Sequence, residues 1–183
     1  MKKRLWWVSV PLIIAGLIVY QLWTRDARTI NAALPGNSRY VLEHSQQLIL
    51  YSLDPDAEFE KGHDERKAFV FYGVRGKLVI TDPTVKAKII TALYQSITSR
   101  HSHPASCFVP HHGIRAVWQQ QVVDIPICFD CNNMVVWFKD GNKPAKVLDQ
   151  GGDGVPISNE ARNTLDGILK SAGIPVIDPY KTR

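Results

Sequence analysis

Nineteen consecutive residues near the start of the chain, Leu5 to Trp23 (LWWVSVPLIIAGLIVYQLW), carry no charge, and this run constrains the molecule more than any other feature. As a helix it spans about 28 Å, close to the hydrocarbon thickness of a bilayer. Trp6 and Trp7 stand at one end and Tyr20 and Trp23 at the other, where interfacial aromatics gather. A core helix of a water-soluble domain keeps a polar face, and this run has none. Lys2, Lys3 and Arg4 precede it, whereas Arg25 and Arg28 follow it with Asp26 between them. The larger positive charge in front predicts a cytoplasmic N-terminus and a domain outside the cytoplasm, periplasmic or at the cell surface. The apolar run is longer than a signal-peptide core, and the nearest small-residue site, Asn31-Ala32-Ala33, lies far downstream. The first cysteine is Cys107, so no lipid-modified cysteine ends the segment. The expectation is an uncleaved single-pass anchor over residues 1–28, with the lipid bilayer as partner through Leu5 to Trp23, a linker over 29–38, and one extracytoplasmic globular domain over 39–183.

Beyond the anchor, the 45% hydrophobic and 21% charged composition of the chain is that of a folded protein. The net charge of +5 resides mostly around the apolar run; without Lys2, Lys3, Arg4, Arg25, Asp26 and Arg28 it falls to +1. A near-neutral domain lacks the basic stripe that nucleic-acid binding needs, so no nucleic-acid partner is expected.

Local patterns predict an α+β fold, an N-terminal transmembrane helix followed by an antiparallel sheet packed with two helices. Leu48 to Tyr51 reads as a strand that Ser52-Leu53-Asp54-Pro55 ends. Asp56 to Lys67 is a charged loop. Ala68 to Tyr72 and Lys77 to Thr81 pair through Gly73-Val74-Arg75-Gly76. Asp82-Pro83 caps the clearest helix, with Val85, Ile89, Ile90, Leu93 and Ile97 at helical spacing. Ile114 to Gln119 and Val122 to Cys128 form a hairpin, Met134 to Lys139 and Ala145 to Leu148 two further strands. A last helix begins at Ser158 and stops at Gly173.

Three cysteines and a histidine cluster carry what chemistry the sequence offers. His101, His103, His111 and His112 fall in one short stretch with Cys107, while Cys128 and Cys131 form a Cys-x-x-Cys. Cys107, His112, Cys128 and Cys131 make a Cys3His composition suited to tetrahedral zinc, with His111 as an alternative to His112. Asn132 tolerates the left-handed backbone of a tight turn that would aim both thiols at one point. Outside the cytoplasm the same cysteines oxidise, and a disulfide from Cys107 to Cys128 or Cys131 is the competing reading. Redox catalysis is weaker: no helix N-terminus follows the Cys-x-x-Cys, and Asp130 disfavours a thiolate. The histidines taken alone read as surface loop residues. Asp140, Asp149 and Asp153 do not match a calcium loop.

The segment Cys107-Phe108-x-Pro110-x-His112-Gly113-Ile114-Arg115, with Ile127-Cys128-Phe129-x-Cys131, resembles the core motif of a family of small uncharacterised bacterial proteins with secretion or lipoprotein signals. Tyr51-Ser52-Leu53-Asp54-Pro55 is similar to that family's first strand. The family carries arginine before the motif histidine, where this chain has His111. The resemblance implies a secreted or membrane-anchored protein and attaches no activity. The expected function is therefore a membrane-anchored, non-enzymatic extracytoplasmic domain whose Cys/His cluster is a structural metal site or disulfide. A thiol- or metal-dependent enzyme of the cell envelope is the alternative.

Overall fold

The computed structural model describes residues 6–58, 68–99, 105, 107–148 and 154–177. Their elements are α1 (Trp6–Ala33), α2 (Ser38–His44), β1 (Gln47–Glu58), β2 (Ala68–Phe69), β3 (Tyr72–Ile80), α3 (Pro83–Thr98), β4 (His112–Trp118), β5 (Gln121–Cys128), β6 (Asn133–Met134), β7 (Trp137–Asp140), β8 (Lys146–Val147), β9 (Val155–Pro156) and α4 (Glu160–Ser171). The strand pairings among the described residues are all antiparallel, in the order β2-β3-β1-β4-β5-β6-β9, with β7 on β5 and β8 on β7. The fold is α+β, and among the described residues it has four helices, α2 with its buried Val41 and Leu42 adding to the anchor and two helices expected.

Strand alternation explains why Leu48 to Tyr51 is apolar at every position. Leu48 and Leu50 join the main core, with Ile114, Ala116, Val123, Ile125 and Ile127 and with Ile89, Leu93, Leu165 and Leu169 of the helices. Ile49, Tyr51 and Leu53 point to the other face and pack with Phe69 in a second cluster. The helix signals act as written. Asp82 accepts a hydrogen bond from the Thr84 N–H at 2.7 Å, with Pro83 in the first turn. Gly173 has φ +73°, and its N–H and that of Ile174 close the end of α4 on Lys170 and Leu169 carbonyls.

Several boundaries differ from the sequence reading. β1 does not stop at Pro55 but continues to Glu58, with register breaks between Ser52 and Leu53 and between Asp54 and Glu58. A proline fits a strand at such an irregularity because no ladder donor is required there. The turn into β3 lies at Val70-Phe71, where Val70 has φ +59°, and Gly73 to Gly76 are strand. Gly76 is needed for a close approach: a Cβ there would lie 2.7 Å from Ile174 Cγ2, in the tail that crosses the sheet. Ser52 Oγ fixes this tail by donating to the Pro175 carbonyl at 2.6 Å. The single strand expected over Met134 to Lys139 is split into β6 and β7. Pro126 of β5 has no N–H to offer at the junction, and its carbonyl accepts from Val135 at 3.1 Å. The loop expected over Asp56 to Lys67 lies mostly outside the described residues, as do Asp149 and Asp153.

α1 is one continuous helix of 28 residues, about 42 Å long. Residues 29–38, expected as a linker, carry the end of this helix and the turn into α2, and Ile30, Ala33 and Leu34 are buried in the main core. Among the described residues no helix is long and apolar enough to cross a membrane, and the Leu5 to Trp23 run begins outside them. Val19, Tyr20, Leu22 and Trp23 on α1 are 55–69% exposed.

Candidate functional site

The β4–β5 hairpin erases the sequence distance between the cysteines. Its register pairs His112 with Ile127 and Trp118 with Gln121, so the start of β4 lies beside the end of β5. Past Cys128 the chain turns back into β6, with Asn132 at φ +50° and its N–H donating to the Phe129 carbonyl at 3.2 Å. This is the left-handed position that asparagine tolerates. The turn brings Cys128 and Cys131 to a Cα separation of 5.2 Å, and they form a disulfide. The competing reading of the sequence, a disulfide from Cys107 to Cys128 or Cys131, is corrected in its pairing: the turn places Cys128 and Cys131 at bonding distance without help from Cys107.

Cys107 is free and exposed, yet its sulfur lies 3.3 Å from that of Cys131. Two backbone hydrogen bonds hold its segment in place. The Ala105 N–H donates to the Cys131 carbonyl, and the Leu53 N–H to the His111 carbonyl, both at 2.9 Å. Cys128 and Cys131 are buried, and the Cys131 N–H donates to Cys128 Sγ at 3.1 Å. The three cysteines thus converge at one end of the sheet.

His112 takes a different position. Paired with Ile127, it shares that residue's face, whereas Cys128, the next residue along β5, faces oppositely. The imidazole is 1% exposed, sits edge-on to Phe129 at 5.2 Å, and places Nε2 2.7 Å from Asp166 Oδ1 on α4. Its Nδ1 is buried with no hydrogen-bond partner among the described residues. The Cys3His set therefore divides into a cluster of three sulfurs and a His112–Asp166 pair. No group of three or more His, Cys, Asp and Glu side chains among the described residues is arranged to hold a metal ion. His101 and His103 lie outside the described residues.

Sequence reasoning missed Asp166 and Arg162. Both lie on α4, far along the chain and in no local motif; the only signal was the i, i+4 spacing of Arg162, Asp166 and Lys170 on one helix. Arg162 Nη1 donates to Asp130 Oδ1 at 2.8 Å, and His111 Nδ1 lies 3.6 Å from Asp130 Oδ2. The negative charge of Asp130 is compensated, which removes one argument against thiol chemistry beside it.

Burial raises the Asp166 carboxyl, but the His112 hydrogen bond and nearby positive charges outweigh it and hold it below the usual carboxylate range. The His111 imidazole is pushed below its ordinary 6.5 mainly by burial, with Asp130 opposing. A lowered histidine means that the unfolded chain binds more protons between the folded value and 6.5. The resulting stability is complete above 6.5 and is lost as pH falls through the window below it. Urea midpoints should drop from pH 7.5 to pH 5.5, and His111→Gln should flatten that slope. An unchanged slope in the variant would exclude His111 as its source.

No family model, curated protein or solved structure matches this chain.

Proposed function

We propose that this chain is a membrane-anchored protein that holds its folded domain outside the cytoplasm, with the Cys128–Cys131 disulfide closing the turn between β5 and β6. The observation that carries the reading is the exposed apolar stretch Val19, Tyr20, Leu22 and Trp23, on a helix that runs without a break into the domain core at Ile30. Single exposed apolar residues are ordinary on soluble proteins, but a group of them at the end of an uncharged run of 19 fits a lipid boundary. Trp23 and Ile30 are separated by about 10 Å of helix, so the domain would sit against the bilayer surface. A buried disulfide agrees with an oxidising compartment. Lys2, Lys3 and Arg4 supply the orientation.

A reporter active only outside the cytoplasm, fused after Arg183, should be active, and the fusion should sediment with membranes. Activity of a cytoplasm-only reporter at the same point would reverse the topology. Thiol counting on the purified full chain should find one free thiol, with no stoichiometric zinc. Three free thiols with one zinc per chain would replace the disulfide by a Cys3His metal site.

A further inference from the structure

We propose that Cys107, Cys128 and Cys131 form a thiol–disulfide exchange site in which Cys107 opens the buried disulfide and presents it to a thiol-bearing substrate. The inference rests on the disulfide of the reading above and adds an activity to it. Its basis is the arrangement of three sulfurs. The two bonded ones are 0% and 1% exposed, so a thiol from solution has no direct line to either. Cys107 is exposed, and its sulfur is already at 3.3 Å from Cys131 Sγ, within the 3–3.5 Å range of a near-attack arrangement. It faces the outer sulfur of the pair and so selects which of the two is attacked.

The exchange has three steps. In the first, Cys107 loses its proton to water and its thiolate attacks Cys131 Sγ. The Cys107–Cys131 bond forms, the Cys128–Cys131 bond breaks, and the electron pair of the broken bond leaves on Cys128 Sγ. The leaving sulfur is prepared for this charge by the Cys131 N–H at 3.1 Å, since a hydrogen bond to the charged form favours it. Cys128 then takes a proton. No electrons enter or leave the protein; a buried disulfide and an exposed thiol have become an exposed disulfide and a buried thiol. In the second step a substrate thiolate attacks Cys107 Sγ, the mixed disulfide between Cys107 and substrate forms, and the electron pair leaves on Cys131 Sγ, which is protonated by water. In the third a second substrate thiolate attacks the substrate sulfur of the mixed disulfide, the substrate disulfide forms, and the electron pair leaves on Cys107 Sγ, which is protonated by water. Two substrate thiols have together given up the two electrons that reduce the protein disulfide.

The substrate class is an accessible thiol, and the segment around Cys107 suits a peptide-borne one. Phe108 is half-buried against Tyr72 at 6.2 Å, and Val109 beside it is 39% exposed, so an apolar ledge adjoins the reactive sulfur.

The test uses the full chain in detergent, under native conditions, with reduced glutathione as the probe. Wild type and Cys107→Ser are quenched with a maleimide at intervals, and remaining disulfide is read by mass. Cys107 is exposed, so its serine variant should keep the fold, which circular dichroism verifies. Loss of the Cys128–Cys131 bond should be at least about tenfold slower in Cys107→Ser, and wild type should show glutathione on Cys107. Separately, Cys128→Ser treated with oxidised glutathione should acquire a Cys107–Cys131 bond. Equal rates in wild type and Cys107→Ser, or two persistent free thiols in Cys128→Ser, would overturn the exchange while leaving the structural disulfide intact. Wild type purified with three free thiols would overturn both.

Discussion

A chain beginning at Arg25 should fold, remain in solution and retain its disulfide, whereas one beginning at Pro35 should fail to fold. The difference is ten residues that the sequence pattern assigns largely to a linker. Ile30, Ala33 and Leu34 lie in the main core, with Leu34 at 1% exposure, and the Leu34 N–H extends the helical hydrogen bonding to the Ile30 carbonyl at 2.8 Å. Truncating one buried leucine or isoleucine to alanine costs about 2–5 kcal/mol. Removing Ile30 and Leu34 together approaches the whole stability of an ordinary domain, about 5–15 kcal/mol. Leu34→Ala in the longer fragment should lower the unfolding free energy by about 2–5 kcal/mol, read from the urea midpoint at unchanged slope. The longer fragment should also lose membrane association, because Val19, Tyr20, Leu22 and Trp23 are gone. A cooperative urea transition in the fragment from Pro35, at the midpoint of the longer one, would show that the end of α1 is not part of the core.

Phe69→Ala should cost about 3–5 kcal/mol, and part of that cost should disappear when Gly113 is also changed. Phe69 is fully buried on the outer face of the sheet, with the Tyr51 ring at 4.5 Å and the Arg115 guanidinium 5.5 Å above it. Directly beneath lies Gly113 of β4, where an added Cβ would stand 2.7 Å from Phe69 Cε1 and 2.9 Å from Cδ1. Gly113→Ala alone should therefore destabilise by about 1–3 kcal/mol through overpacking. With the ring removed that clash is absent and the methyl group fills part of the cavity. The double variant should be more stable than the sum of the single effects implies, by about 0.5–3 kcal/mol. Strict additivity in a double-mutant cycle would mean that Phe69 does not rest on Gly113. The glycine that follows His112 is thus explained by packing rather than by chemistry.

Much of the fold is legible in the residue order because its signals are local. Asp82-Pro83 starts α3 through a cap and a preset φ, Gly173 ends α4 through a left-handed backbone, and the apolar spacing of Ile89, Leu93 and Ile97 defines a buried face. The hairpin between β4 and β5 is legible for the same reason, and with it the meeting of Cys107 with the Cys-x-x-Cys. The residue order also assigned Asn132 to a left-handed turn. The uncharged run from Leu5 to Trp23 is a property of composition alone, and the membrane reading depends on it and on the exposure of its last residues.

Other features had no local signal and were decided by contacts between distant segments. Pro55 looks like a strand end, yet a register break in a ladder with β3 accommodates it. Residues 29–38 look polar and connective, yet three of their side chains face a core built by strands and helices far along the chain. His112 belongs by sequence to the cysteine cluster, but strand alternation turns it to the helix face, where Asp166 is supplied by α4. Which two cysteines bond was equally beyond the sequence, since three allow three pairings and only the turn between β5 and β6 places Cys128 and Cys131 at bonding separation. Composition and period determine which residues seek burial or a turn; which groups become neighbours is determined by the register of the sheet and the packing of α4 upon it, because hydrogen bonds and sulfur contacts act only over a few ångströms.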